Sequence, residues 1–406
     1  MTPRWYDVSR AAGLVGEDGT VRPTVFAEMS ALAASTGSVN LGQGFPDVDG
    51  PEHVARAAQR AIAEGHNQYP PGTGVPELRR AVAAHQHRYY GLELDPDTEV
   101  LVTTGATEGV AAAVLALAGP GDEVLTLEPF YDSYAAVIAM AGAVHTTVGL
   151  VPGADGRLVL DRAALAGAFS ERTRLVLLNS PHNPTGTVLT REELGAVAAL
   201  ATEHDAVVVT DEVYEHLTYD GALHIPVATL PGMAGRTLTI SSSGKTLSFT
   251  GWKIGWVTGP AELVTAVRAI KQFLTYVSGA PFQPAIAEAL LDDDGRTAEY
   301  VGSLVRSLAD RRDLLCEGLT AAGFEVSVPQ GTYFVVADGA PLGFEDGTAL
   351  CRRLPELAGV VGVPVSAFCH PGPPVATAMR SRVRFTFVKR AEVLTEAVGR
   401  LARLRR

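Results

Sequence analysis

The chain is poor in cysteine, tryptophan and methionine, with three, three and five in 406 residues. Cys316, Cys351 and Cys369 lie far apart and form no CxxC pair, which excludes a disulfide framework and a zinc knuckle. Long apolar runs are also missing. The longest, Gly109 to Gly119 and Tyr134 to Val144, are Ala- and Gly-rich and about half of the ~20 residues a membrane helix requires. No apolar stretch follows the opening MTPRWYDVSR, so no secretory leader is expected and the chain reads as cytoplasmic. Positive charge is in deficit: 33 Lys and Arg against 45 Asp and Glu leave −12. A nucleic-acid surface is therefore not expected, because phosphate binding needs a surplus of cations. HExxH is absent, and the closest histidine pair, His85 and His87, reads as solvated helix histidines, so no metal is expected. GxGxxG is absent too, since Gly72 and Gly74 are followed at position 77 by Glu, which argues against a dinucleotide site.

What remains is an ordinary globular composition, 47% hydrophobic and 19% charged, with roughly two to three domains' worth of chain. No repeat, Ser-rich linker or charge block divides it. The middle alternates apolar strands with helical stretches. VLVTT (100–104), VLTLE (124–128), LVLLN (175–179), VVVTDE (207–212) and TLTIS (237–241) read as strands, with helices over about 107–118, 131–141 and 191–204. Continuous apolar strands separated by helices require a mostly parallel sheet covered on both faces. IGWVTG (254–259) follows TLTI too closely for a helical crossover, so antiparallel pairing is predicted. Helices are predicted over about 260–291 and 297–322, then short strands around a helix near 348–357. The expected architecture is α/β: a large domain over 46–300, a smaller α+β domain over 301–406, and an N-terminal extension and arm over 1–45 that packs with the small domain.

Ligands of open α/β sheets bind beyond the carboxyl ends of the strands, so the residues there carry the chemistry. Gly105-Ala106-Thr107 opens a helix, where small residues and free N–H groups suit a phosphate; a plain βα turn capped by Thr107 explains the same segment. Asn183 follows the third strand in a structured turn and could hold an acceptor oxygen on a bound ring. Asp211 ends the next strand, where a carboxylate is costly to bury without a positive partner. Lys245 follows SSSG after another buried strand, a setting that desolvates an amine and frees it for a Schiff base, although most lysines are exposed. Together a phosphate cradle, an acid for a ring nitrogen, groups for a ring hydroxyl and a lysine describe a pyridoxal phosphate site.

The motifs NLGQGFPD (40–47), NQYPPGTG (67–74), EPFYDSY (128–134), NSPHNPTG (179–186), TDEVYEHL (210–217), SSSGKTLSFTGWKIGW (241–256) and VRFTFVK (383–389) extend the pattern over nearly the whole chain. The chain closely resembles the class I/II aminotransferases of the aspartate aminotransferase superfamily, fold type I. Within that family it is most similar to the N-succinyldiaminopimelate and the kynurenine/glutamine aminotransferase groups. The resemblance implies a pyridoxal-phosphate fold with a mostly parallel seven-stranded sheet. It implies that Lys245 bears the cofactor, Asp211 pairs with the pyridine nitrogen, Asn183 and Tyr214 contact the ring oxygen, and Tyr131 stacks on the ring. Gly105, Ala106, Thr107, Ser242 and Lys253 would hold the phosphate, with Tyr69 reaching in from a second subunit of a homodimer. Arg384 would grip the substrate α-carboxylate, helped by backbone near Gly44. In VRFTFV the apolar residues 383, 385 and 387 share one face, so Arg384 points the other way.

The implied reaction is transamination from an L-amino acid, N-succinyl-LL-diaminopimelate among the candidates, to a 2-oxo acid such as 2-oxoglutarate by ping-pong kinetics. Lys245 serves as general base on Cα–H. The alternatives are β/γ-elimination, replacement or oxidation on the same scaffold, and a cofactor-binding regulator, for which no basic helix-turn-helix segment is visible.

Overall fold

The residues described in the computed structural model are 3–16, 18–153, 156–370 and 378–405. Their strands, in chain order, are β1 (Val39–Asn40), β2 (Val100–Thr104), β3 (Glu123–Glu128), β4 (Val144–Pro152), β5 (Leu158–Leu160), β6 (Thr173–Asn179), β7 (Val207–Asp211), β8 (Thr237–Ser242), β9 (Ile254–Thr258), β10 (Glu325–Ser327), β11 (Phe334–Asp338), β12 (Val360–Val361), β13 (Val363–Pro364) and β14 (Arg382–Thr386). Continuous burial accounts for the central ones: all six residues of β3 are buried, and β6, β7 and β8 are nearly so. Such strands need cover on both faces, and helices supply it.

The large sheet runs β2-β9-β8-β7-β6-β3-β4-β5. The pairs from β8 to β4 are parallel, and β9 is antiparallel to both neighbours, as the short link before it predicts. The sheet has eight strands rather than seven. The extra one is β5, three residues folded back on β4 as an antiparallel edge, too short to show a period in sequence. The predicted helix over 260–291 is two helices, Ala261–Lys271 and Phe282–Leu291. The break contains Gly279 at φ +42 and Tyr276 at φ +67, left-handed backbone that no helix tolerates.

A second sheet, β10-β11-β14-β13, is wholly antiparallel. The short parallel pair β1–β12 ties residues 39–40 to this end of the molecule. The long helix Arg296–Ala322 bridges the two cores. Tyr300 and Val301 near its start pack on the cluster around Trp256, while Leu308, Leu315 and Leu319 belong to the core behind the small sheet. The first helix, Arg4–Ala11, lies against Asp132–Ala141, where Arg4 donates to the Met140 carbonyl. No helix among the described residues is long and apolar enough to cross a membrane.

Register decides where the polar strand ends meet. Asn179 pairs with Asp211, Asp211 with Ile240, Ser242 with Gly255 and Thr104 with Ile254. The carboxyl ends of β2, β6, β7 and β8 therefore open on one side of the sheet.

Candidate active site

A cavity of about 360 Å³ lies at those strand ends. Twelve residues singled out in the sequence border it: Gly44, Gly105, Ala106, Thr107, Tyr131 and Asn183, with Asp211, Tyr214, Ser242, Lys245, Lys253 and Arg384. Tyr69 does not. Its side chain is 81% exposed on the outer surface, packed edge-on against Tyr276 at 5.6 Å.

The helix after β2 begins at Gly105, two residues before the predicted cap, so Thr107 is not its N-cap. Thr104 holds that position with no side-chain cap, and its N–H donates to the Glu108 carboxylate at 2.6 Å. The Thr107 side chain is thus left to the cavity it borders. Gly105 sits at φ +70, and a Cβ there would stand 3.4 Å from Lys253 Nζ. Under the same turn, a Cβ on Gly255 would come within 2.6 Å of the Gly105 carbonyl carbon. Free helix N–H groups beside an ammonium form an anion cradle whose backbone can approach closely only because both positions lack side chains. Burial and the nearby Lys245 charge lower the Lys253 pKa.

Asp211 ends β7 with a buried carboxyl. Burial drives its pKa up to about 6, against the pull of the Tyr134 hydroxyl, the Val213 N–H and Lys245. Tyr134 Oη donates to Asp211 Oδ2 at 2.7 Å, and Asn179 Nδ2 donates to the Asp211 carbonyl at 2.8 Å. Neither the Tyr134 nor the Asn179 contact was predicted. The available signal was spacing: Tyr134 follows Tyr131 by one helical turn, so both reach the same place.

Lys245, in the short helix Ser243–Thr246, points its ammonium toward the ring faces of Tyr214 and Tyr333, 5.9 and 5.8 Å from their centroids. Tyr333 in turn donates to the Gly44 carbonyl at 2.7 Å, fixing the loop after β1 over the cavity. A Cβ on Gly44 would collide with Phe334 at 2.4 Å.

Arg384 lies in β14 between β11 and β13, opposite Val336 and Val363. Alternation holds, since Val383, Phe385 and Phe387 are core residues, but the other face is not solvent: Arg384 is 2% exposed. Its Nη1 donates to Asn183 Oδ1 at 3.0 Å and its Nη2 to the Gly42 carbonyl at 2.7 Å. The plane stacks on Phe334 at 4.1 Å and Phe368 at 4.9 Å, while Nε has no partner. Burial lowers its pKa to about 10, so it stays charged near neutrality. A buried guanidinium with a spare N–H suits a planar carboxylate.

The histidine pair separates. His87 is exposed and meets Glu93 at 2.9 Å, but His85 is only 4% exposed, contrary to the solvated helix position predicted for it. Its burial comes from Tyr89, Tyr90, Trp256 and His216, all packed around its ring.

The family model described as "Aminotransferase class I and II" matches residues 36–401. The chain is 57% identical over 384 residues to the probable N-succinyldiaminopimelate aminotransferase of Mycobacterium tuberculosis, covering 93% of this chain and 95% of that protein. It is 37% identical to the methionine aminotransferase of Escherichia coli, over 94% of this chain and 96% of that one. Among solved structures, N-succinyldiaminopimelate aminotransferase from M. tuberculosis superposes with a TM-score of 0.90 at 56% identity, covering 94% and 97% of the two chains. Aspartate aminotransferase from Thermus thermophilus with maleate gives 0.87 at 35% identity, covering 98% and 99%.

Proposed function

This chain belongs to the class I and II aminotransferases, and from that premise we propose what each residue around its cavity does. The protein is a pyridoxal phosphate-dependent enzyme that moves amino groups between amino acids and 2-oxo acids. When bound, the cofactor supplies an electron sink for the substrate's Cα–H electrons.

The residues present fit that group. A cradle of helix N–H groups and Lys253 suits its phosphate, and Gly105, Ala106, Thr107 and Ser242 line it. Asp211, buried and without a cation in hydrogen-bond contact, suits a ring N–H⁺. Tyr131 would cover the ring face, with Asn183 and Tyr214 at the ring oxygen and Tyr69 completing the phosphate site of a partner copy. Lys245 would hold the cofactor covalently. Released from it, Lys245 Nζ takes the proton from the substrate's Cα and holds it against the Tyr214 and Tyr333 ring faces. Tyr134 and Val213 orient the Asp211 carboxylate. Arg384 binds the α-carboxylate with Gly44 beside it, and Asn183 keeps the guanidinium in plane. Phe26, Phe45 and Phe334 border the cavity and would exclude water.

We further read the donor as N-succinyl-LL-diaminopimelate and the acceptor as 2-oxoglutarate, in ping-pong kinetics, by a cytoplasmic homodimer. The likeness to the M. tuberculosis protein supports the donor, and the exposed Tyr69–Tyr276 pair supports a second copy at that face. The division into an arm (1–45), a large domain (46–300) and a small domain (301–406) is supported by the β1–β12 pairing and the two separate sheets, but the arm's first helix, Arg4–Ala11, packs on Asp132–Ala141 of the large domain rather than on the small one.

One observation carries the reading: Lys245, Asp211 and Arg384 border a single cavity. Borohydride reduction of the holoenzyme should leave a pyridoxyl group on the peptide containing Lys245, and labelling of another lysine refutes the assignment. Assaying succinyl-diaminopimelate, kynurenine, methionine, glutamine and aromatic donors against several oxo acids tests the substrate. A higher kcat/KM for any other donor overturns that choice.

A further inference from the structure

We propose that His85, Glu215 and His216 form a binding site for one divalent transition-metal ion of the zinc type, separate from the cofactor cavity. His85 comes from the helix Pro76–Tyr90, and the other two from the turn after β7. The Nε2 atoms of His85 and His216 lie 2.8 Å apart across 131 residues of sequence. With a Glu215 carboxylate oxygen, the three potential ligand atoms all lie within 4.8 Å of one another. Ligands at the ~2.0–2.1 Å of a tetrahedral zinc ion stand about 3.4 Å apart, so closing around an ion needs shifts of about an ångström.

The surroundings favour a cation. Glu215 is 5% exposed; its Oε1 accepts from Ser241 Oγ at 2.5 Å, and its Oε2 makes no hydrogen bond of normal geometry, although the Tyr90 hydroxyl lies close to the carboxylate. Gln86 Oε1 and His224 Nδ1 nearby are also buried and unpaired. Buried polar atoms are normally satisfied, and several unsatisfied together mark a place built for something else to bind. A void of about 30 Å³ bordered by His85, Glu215, His216, Thr246 and Trp256 exceeds the ~10–15 Å³ that one water or ion occupies.

The charges agree. Glu212, the other carboxylate here, is already matched by His224 Nε2 at 2.8 Å. Burial opposes charge on His224, but Glu212 and its hydrogen bond outweigh that and raise the pKa. Arg88 also borders the void, yet its guanidinium donates to the Leu290 and Leu291 carbonyls. Among the described residues, Glu215 is thus the carboxylate of this cluster that no side-chain cation contacts. Two imidazoles and one carboxylate, with a fourth position facing the void, are a donor set that suits zinc and its neighbours rather than magnesium or calcium. The Gln86 amide lies 3.4 Å from His85 Nδ1, and with its oxygen turned there it would fix the tautomer that frees Nε2.

The test uses untagged holoenzyme, stripped with a chelator and then titrated with Zn²⁺ or Co²⁺. One ion per chain should survive gel filtration, and Co²⁺ should give the intense visible bands of a four-coordinate ion. Glu215→Gln and His216→Gln should each weaken retention about a hundredfold or more. Failure of the wild-type holoenzyme to retain a stoichiometric ion overturns the site, as does retention by both variants at the wild-type level. Should the variants not fold, the wild-type Co²⁺ spectrum decides: weak six-coordinate bands, or none, refute the site.

Discussion

Asp211 and Tyr214 border a cavity of about 360 Å³, while Glu215 and His216, in the same turn, border a void of about 30 Å³ behind it. Both places gather buried polar groups on the chain leaving β7, but they handle charge differently. In the cavity, charges of both signs face open volume: Asp211 is held by neutral donors, and Arg384 keeps an unpaired Nε. Behind the turn, the groups bond mainly to each other, through His85–His216, Glu212–His224 and Glu215–Ser241. A site for an organic ligand keeps charges apart around space; a site for a single ion, or a structural network, draws them together. Every substitution below should therefore affect one region and spare the other.

The largest effect is expected for Lys245→Ala. Removing the proton carrier should slow the amino-transfer half-reaction about a thousandfold or more while the cofactor still binds. Single-turnover absorbance with an amino donor measures it, and near-normal turnover contradicts the role. Asp211→Asn should follow, with a loss of about a hundredfold in kcat/KM, the size of a charge-assisted hydrogen bond of about 3 kcal/mol. Its pH dependence is separable. The folded pKa of about 6 lies above the ordinary 3.8 because burial disfavours the charge. The stability that this proton lends the cofactor-free fold is therefore full below 3.8 and lost as pH rises through about 6. Cofactor affinity runs the other way, because the ring N–H⁺ needs an ionised partner. It should weaken about tenfold per pH unit below the Asp211 pKa, and titration of cofactor-free protein should show a flat profile once Asn replaces Asp.

Arg384→Lys should raise KM about tenfold to a hundredfold with a smaller change in kcat, since an ammonium cannot keep the Asn183 bond, the Phe334 stack and a bidentate carboxylate together. Tyr134→Phe should cost about fivefold in cofactor affinity, near 1 kcal/mol, and should move the Asp211 titration upward by removing a donor to its charged form. The smallest effect on catalysis is expected for His216→Gln, within about threefold in kcat/KM, because energies of groups without shared partners add independently. A large kinetic defect there would merge the two regions into one.

Asp211 and Lys245 were legible because each follows a buried apolar run, and the end of such a run in a parallel sheet is a binding position. Arg384 was legible in direction through strand alternation, but its burial was not, since that depends on Phe334 and Phe368 stacking from other segments. His85 was misread for the same reason. Its helix contributes half of its environment, and His216 and Trp256 supply the rest. The helix after β2 was expected to open near Thr107, where residue type also allows a cap, whereas the strand runs straight into a helix beginning at Gly105. The eighth strand escaped notice because three residues carry no measurable alternation.

The order of amino acids alone determined the alternating strands and helices, the polar residues at the strand ends and the face of β14 that carries Arg384. Those features are local, set by side-chain period and backbone preference within a few neighbours. Only the tertiary structure decided that Arg384 meets Asn183 across 201 residues and that His85 meets His216 across 131. Burial and hydrogen bonding between distant segments follow from how the layers pack, and packing belongs to the whole chain.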